Sequence, residues 1–550
     1  INSKTGLYPL YMTYGVFAEK LQAYRDKHML ATDVPVQTQN QIWDEVLRNN
    51  IFVICKTEMA KSITRRTLRG FRQTKVNARY FEDLINKITN QPTLFATKVR
   101  NGSLYWKNKE LEDNMKFNAI VGNPPYQLTG GSGGNNDAPI FQHFCGIASK
   151  VTDRYVSMII PARWFAAGRE SLLKDFRYNM LNSGFIHKLF VYPDSHDVFP
   201  NVEIKGGVCY YFEDQSKQDL CDFYMIEDGE TSLSHMKLNE YDILIRYPIL
   251  KLIVDKVVAI TKQDKLNTVD TIISADTPFG IPSNPRDSSK TPFNVFETST
   301  DDHNTMLFHI ENTKRKQEYV RRKEVTKNSQ DIDKWKVFIP GGYGAGEGFP
   351  HQILGVPEIA PSNSVCSQSY LYAAFNSEIE ARHFVDYLST KFFRALVLAR
   401  KVTQSAPNRV YKFVPLLDLQ KTWTDRELYR LFGLNNEEIS FIETRIKPMS
   451  SEALFDGSDL IDPKFGEFNL EECGVKVGDT IVYNNEIEVI VRENNMVEYA
   501  GDLYSLSQFT SKFMPRNKHS ISGVIQGPKY FSYKGVSLYK LRESFLGGQK

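Results

Sequence analysis

The stretch FNAIVGNPPYQ, residues 117–127, sets a short apolar run directly against a stiff tetrapeptide. Residues 117–121 are apolar at four of five places and stop at Gly122, which predicts a buried strand. Asn123, Pro124, Pro125 and Tyr126 follow at once. Two successive prolines remove two backbone donors and hold the chain extended. That leaves the Asn123 side-chain oxygen and the Pro124 carbonyl to face a guest. The carboxyl ends of strands are where open α/β sheets bind ligands.

Working outward, residues 51–55, 155–160, 187–192 and 207–212 are further strand-like runs. Amphipathic patterns at 10–21 and 139–149 fit helices between them, so residues 1–225 read as an α/β unit. No helical pattern joins the last two runs, which predicts a closing antiparallel hairpin at the sheet edge. Residues 226–450 change character, with irregular strands, frequent turns and interleaved aromatic and basic residues, and predict a mixed α+β domain closing on a helical stretch at 424–446. Residues 451–467 read as a linker and 468–550 as a small β-rich domain.

The 550 residues are 41% hydrophobic and 24% charged, which places the chain among globular proteins of several domains. A net charge of +3 does not by itself call for nucleic acid, so a polyanion partner has to be argued from local patches. The apolar stretch 241–260 is broken by Asp242, Arg246, Lys251, Asp255 and Lys256, as in an amphipathic helix and unlike a membrane span. Six cysteines lie scattered without CxxC pairs, so neither a metal site nor a disulfide framework is expected, and a reducing cytoplasm fits. The first residue is Ile1, which points to a piece of a longer polypeptide.

The chemistry of the tetrapeptide is specific. An amino nitrogen conjugated to an aromatic ring is a poor nucleophile. Two acceptors, the Asn123 side chain and the Pro124 carbonyl, can bind its two N–H groups and favour a more pyramidal nitrogen. Tyr126 offers a face for a planar base, a contact worth about 1–3 kcal/mol in single-strand binders. A sulfonium methyl donor placed in line needs positioning more than a strong base.

Together with IPARWF (160–165) and FPNVEIKGGV (199–208), NPPYQ resembles the adenine-N6 DNA methyltransferases of restriction–modification systems, most closely the gamma-type, type IIG-like enzymes. The resemblance implies a Rossmann-like methyltransferase sheet, S-adenosyl-L-methionine as cofactor and double-stranded DNA as partner. It further implies a flipped target adenine, because N6 is inaccessible inside a stacked duplex. By the same likeness residues 226–450 form the target-recognition domain, and 468–550 resemble the domain associated with restriction-enzyme adenine methylases. A restriction nuclease, upstream or as a separate subunit, and a cytoplasmic, nucleoid-associated location are also implied.

Residue by residue, the likeness makes Asn123, Pro124, Pro125 and Tyr126 the catalytic set. Asn2, Ser3, Lys4, Thr5 and Gly6 look like a variant donor-binding turn, with Lys4 where glycine is commoner and the preceding strand missing. Asn123 also borders the donor. The ribose-binding acid expected after the second strand is displaced: Cys55 and Thr57 hold its usual places. Glu58 either serves instead or faces solvent at a helix start. A second aromatic face for the base is expected from Phe212 or Tyr210, unless these rings only fill the core.

Pro193, Asp194, Glu203 and Lys205 formally match a metal-dependent nuclease signature, but they fall between two methylase strands and read as a loop. The glycines at 130–134 lack the GK[ST] ending of a phosphate loop and suit a segment that closes over the base. Arg65, Arg66, Arg69 and Arg72, and Lys314, Arg315, Lys316, Arg321, Arg322 and Lys323, form basic clusters, read either as solvated faces or as phosphate contacts. Lys391, Arg394, Arg400, Lys401 and Arg409 are a further set of cations for a groove. Two other readings stay open: a glutamine or RNA amino-group methyltransferase, since NPPY occurs there too, and a catalytically weak DNA-binding protein.

Overall fold

A computed structural model describes residues 6–541 except 31–32, 110, 129–137, 167–169, 203, 205, 228, 287–292, 312–313, 345–348, 450–469, 485–486, 493–495, 514–529 and 539–540. The architecture is mixed α/β with several separate sheets. Helices α1 (Leu7–Lys27) and α2 (Val36–Asn49) precede β1 (Phe52–Cys55). The Thr57 hydroxyl accepts from the Ala60 N–H at 3.1 Å and starts α3 (Glu58–Arg69). This helix crosses over to β2 (Asn77–Tyr80), which pairs parallel to β1.

The larger sheet is built from β3 (Phe117–Gly122), β4 (Thr152–Pro161), β5 (Ile186–Tyr192), β6 (Val208–Asp214), β7 (Cys221–Glu227) and β8 (Glu230–Met236). Their spatial order is β3-β4-β6-β5-β7-β8. β3 runs parallel to β4, reached through the buried helix Phe141–Val151, whereas β6 is antiparallel to both of its neighbours. All five runs read as strands form strands.

The expected edge hairpin needs correcting. β5 and β6 are antiparallel, but β5 also pairs with β7, and β8 closes the sheet. β7 alternates buried and half-buried residues along its length, so one of its faces joins the core. Gly229, at φ +80°, sits in the tight connection to β8. A boundary at 225/226 would therefore cut through β7.

The two faces of β6 do different jobs. Cys209, Tyr211 and Glu213 are buried on one face. On the other, Phe212 stacks on Tyr155 (5.4 Å between centroids), Tyr210 on Phe190 (4.3 Å), and Phe190 on Tyr224 (4.3 Å).

Six further strands follow: β9 (Thr305–Glu311), β10 (Lys314–Val320), β11 (Trp335–Pro340), β12 (Glu358–Ala360), β13 (Ser364–Cys366) and β14 (Tyr370–Phe375). They form two three-stranded sheets, β10-β9-β13 and β12-β11-β14. The helical stretch expected at 424–446 is two helices, Asp425–Leu431 and Asn436–Arg445, each opened by a capping box, with Gly433 at φ +60° between them. Toward the carboxyl end come β15 (Thr480–Tyr483), β16 (Ile487–Arg492), β17 (Met496–Tyr499), β18 (Asp502–Ser505), β19 (Phe531–Tyr533) and β20 (Val536–Ser537), all paired antiparallel in one sheet over its own apolar core.

The chain divides into two compact units. One holds Ile1–Pro278, Gln330–Ser362 and Tyr370–Met449; the other holds Phe279–Ser329, Asn363–Ser369 and Ser450–Lys550. Residues 226–450 are thus shared between the units. Among the described residues no helix is long and apolar enough to cross a membrane.

Candidate active site

A cavity of about 840 Å³ opens in the first unit where β1, β3 and the start of α1 meet. Gly6 caps α1 with φ +81° and lines this cavity. A Cβ at Gly6 would lie 2.9 Å from the Thr64 Cα of α3, so only glycine lets α1 begin this close. Asn2, Ser3, Lys4 and Thr5 lie outside the described residues.

Asn123, Pro124, Pro125 and Tyr126 leave the carboxyl end of β3 and line the cavity together. Their far end is pinned: the Ile140 N–H donates to the Tyr126 carbonyl at 3.1 Å and the Leu128 N–H to the Ala138 carbonyl at 3.0 Å. Among the described residues no backbone hydrogen bond goes to the Pro124 carbonyl. The Tyr126 hydroxyl is buried without a hydrogen-bond partner among the described residues, and burial pushes it well above the usual phenol range, with Cys209 and Tyr8 adding to the effect.

Other expected residues lie apart from this group. Glu58 is at the start of α3, is largely exposed and pairs with Lys61 at 2.5 Å; it does not line the cavity. Tyr210 and Phe212 are held in the aromatic layer on the sheet face and do not line it either. The physical reason is direction: the Tyr210 and Phe212 rings stand off the sheet face in a layer with Phe190, Tyr224 and Tyr155, away from the residues that line the cavity. Phe199 lines the cavity instead, from the loop before β6. The FPN at 199–201 was the available signal, outweighed by the more aromatic strand beside it.

Two cations, Lys56 and Arg163, also line the cavity, and among the described lining residues there is no carboxylate. Asp194 accepts from the His196 N–H at 2.9 Å and caps a short 3-10 turn, while Glu203 and Lys205 lie outside the described residues. Among the described residues no cluster of His, Cys, Asp and Glu could hold a metal. The glycines at 130–134 also fall outside the description.

The basic clusters divide by environment. Arg66 and Arg69 are exposed on α3, whereas Arg65 donates to the Ala78 carbonyl at 3.1 Å and Arg72 to Asn40 at 2.6 Å. In the second unit Lys314 and Arg322 are exposed and Arg315 is half-buried, while Lys316 pairs with Glu311 and Arg321 with Asp302. The proposed groove set is largely internal. Arg394 is fully buried and donates to the carbonyls of Ser389, Thr390, Gln352 and Lys447. Lys401 donates to the Tyr343 carbonyl at 2.9 Å, and Arg400 is held by Asp242. Charge density alone had not distinguished internal staples from a surface.

With this geometry in place, comparison with known proteins identifies the segment. Residues 49–199 match the Eco57I restriction-modification methylase family. The Eco57I-type segment holds β1 through β5, the tetrapeptide and Phe199. A Mycoplasma pneumoniae protein described as an uncharacterized adenine-specific methylase is 43% identical over 99 residues, 18% of this chain and 23% of that protein. The chain therefore matches about a quarter of that relative's length.

Two solved structures overlap more broadly and more loosely. The nuclease-deletion mutant of the type ISP restriction-modification enzyme LlaGI, in complex with a DNA substrate mimic, is 9% identical, covering 99% of this chain and 52% of that one, with a TM-score of 0.41. The type IIL restriction-modification enzyme MmeI in complex with DNA is 12% identical, covering 68% and 59%, with a TM-score of 0.37. The resemblance to restriction–modification methylases read from the sequence is borne out by the family match.

Proposed function

We propose that this chain is a site-specific DNA adenine-N6 methyltransferase, the modification component of a restriction–modification system. The observation that carries the proposal is Asn123, Pro124 and Tyr126 on one wall of a cavity in an Eco57I-type segment. The Asn123 amide oxygen and the Pro124 carbonyl accept the two N–H groups of the target amine. Tyr126 and Phe199 offer aromatic faces to the base, which has to leave the duplex to reach them. Arg66, Arg69, Lys314 and Arg322 are exposed cations suited to DNA phosphates.

The residues present fit a methyl donor of the size of S-adenosylmethionine. The cavity lies within the usual range for cofactor sites. Gly6 admits the amino-terminal end of α1 to its wall, where a helix favours a carboxylate. Bound there, S-adenosylmethionine supplies an activated methyl group. Gly6, Lys56 and Asn123 border it, and the second unit contributes DNA contacts.

The finer sheet arrangement follows from the same reading. Residues of β1 (Phe52, Val53) and β3 (Phe117, Ala119, Val121) both line the cavity, and among the described residues each strand is paired on one edge only. On this reading the β1–β2 pair and the larger sheet are parts of a Rossmann-like methyltransferase fold.

The test is methyl transfer from tritiated S-adenosylmethionine to plasmid DNA by wild type and Asn123→Ala. Wild type is expected to label the DNA, and the variant to lose labelling while binding DNA within a few-fold of wild type. Equal labelling by both would refute the proposed role of Asn123.

A further inference from the structure

Arg163 shares the cavity with Asn123 and Tyr126, and the fold fixes where it stands. It follows Pro161, the last residue of β4, which sits opposite Val208 on β6. The next residue, Ala162, donates its N–H to the Gly207 carbonyl at 3.0 Å. A Cβ built on Gly206 would lie 3.7 Å from the Arg163 Cβ. Arg163 therefore stands at the β4–β6 end of the sheet, beside the loop that brings Phe199 and Ile204 to the cavity, whereas Gly6 reaches the cavity from the start of α1.

Its surroundings limit its swing. The guanidinium carbon lies 6.0 Å from the centre of the Phe141 ring, and the residue is half-buried. Arg246 donates to the Gly206 carbonyl and adds a second cation close to the same turn. A half-buried guanidinium lining the cavity suits an oxyanion with two acceptors better than it suits a neutral group.

Resting on the methyltransferase reading above, we propose that Arg163 clamps a backbone phosphodiester next to the flipped nucleotide. A base seated against Tyr126 carries its sugar and phosphate with it, and the phosphate must then lie on one wall. The Phe199–Arg163 wall supplies a cation, and the Gly6 wall is left to the donor. The donor carboxylate is the other anion that could reach a guanidinium, and the experiment separates the two.

The full chain, Arg163→Gln and Arg163→Lys are compared for kcat/KM on plasmid DNA across a range of potassium chloride concentrations, and for affinity for tritiated S-adenosylmethionine by equilibrium dialysis. Arg163→Gln is expected to lower kcat/KM roughly ten- to a hundredfold, largely through KM. It should make the log–log salt slope shallower by about one and leave donor affinity within twofold. Arg163→Lys is expected to keep the slope and recover part of the loss. An unchanged slope in an active Arg163→Gln overturns the clamp, and so does a tenfold loss of donor affinity with the slope intact, which would assign Arg163 to the carboxylate. A wild-type chain that methylates no DNA overturns the underlying reading and this one with it.

Discussion

Arg400 holds Asp242 through two parallel hydrogen bonds, Nη1 to Oδ1 at 2.8 Å and Nη2 to Oδ2 at 2.7 Å. The two residues are 158 positions apart, and Arg400 is only 2% exposed. Burial alone would raise the Asp242 carboxyl; the Arg400 guanidinium more than reverses this and holds it below its usual range.

A depressed folded pKa stabilises the fold above the unfolded value, near 4, and the gain disappears as pH falls through the folded value. Asp242→Asn should therefore cost about 1–3 kcal/mol at pH 7, discounted for the exposed carboxylate, because Arg400 keeps its charge with a weaker partner. Urea unfolding should show the wild-type advantage shrinking below about pH 4. A difference that stays constant from pH 7 to pH 3 contradicts the pairing.

Glu213 presents the opposite sign. It is buried between β6 and the helix Phe141–Val151; desolvation raises its carboxyl to about 7, only partly offset by a hydrogen bond with Ser149. Its cost is absent below the unfolded pKa, grows as pH rises, and is complete above about 7. Glu213→Gln should stabilise the fold by about 2–3 kcal/mol at pH 8 and by little at pH 4. Equal unfolding midpoints for wild type and variant at pH 8 would show that the charge is not desolvated.

Tyr126 separates its ring from its hydroxyl. Because the hydroxyl is buried without a hydrogen-bond partner among the described residues, Tyr126→Phe should keep methyl transfer within about threefold of wild type, whereas Tyr126→Ala should lose the stacking contact, about 1–3 kcal/mol. Phe199→Ala should brighten 2-aminopurine placed at the target position, since a flipped base is quenched by stacking. Phe212→Ala should leave that signal unchanged. The reverse pattern would move the second aromatic face back to β6.

Glu58 faces solvent beside Lys61, so Glu58→Ala should change donor affinity less than twofold by equilibrium dialysis. A tenfold loss would make it the ribose-binding acid after all.

These cases show what was legible in the sequence. The apolar run before Asn123 and the two prolines after it carry their meaning locally, so β3 and the tetrapeptide that lines the cavity could be read from a dozen residues. β2 is the short run NARY, too polar to signal a strand, and its pairing with β1 depends on the α3 crossover. β7 and β8 lay hidden behind an assumed domain boundary, because sheet continuation is a long-range property. Phe199 and Arg163 were within quoted motifs, yet their convergence on the cavity comes from the β4–β6 pairing. Arg394 and Arg400 looked like groove cations because sequence does not show which side of a helix or loop is buried.

The central claim is that this chain methylates the exocyclic amine of adenine in DNA. Plasmid DNA incubated with the full chain and deuterium-labelled S-adenosylmethionine, digested to nucleosides and separated by mass spectrometry, tests it most directly. The label should appear in N6-methyl-2′-deoxyadenosine of the DNA digest with wild type and be absent with Asn123→Ala. Label found instead on protein glutamine or RNA guanine, or in another DNA base, would contradict it.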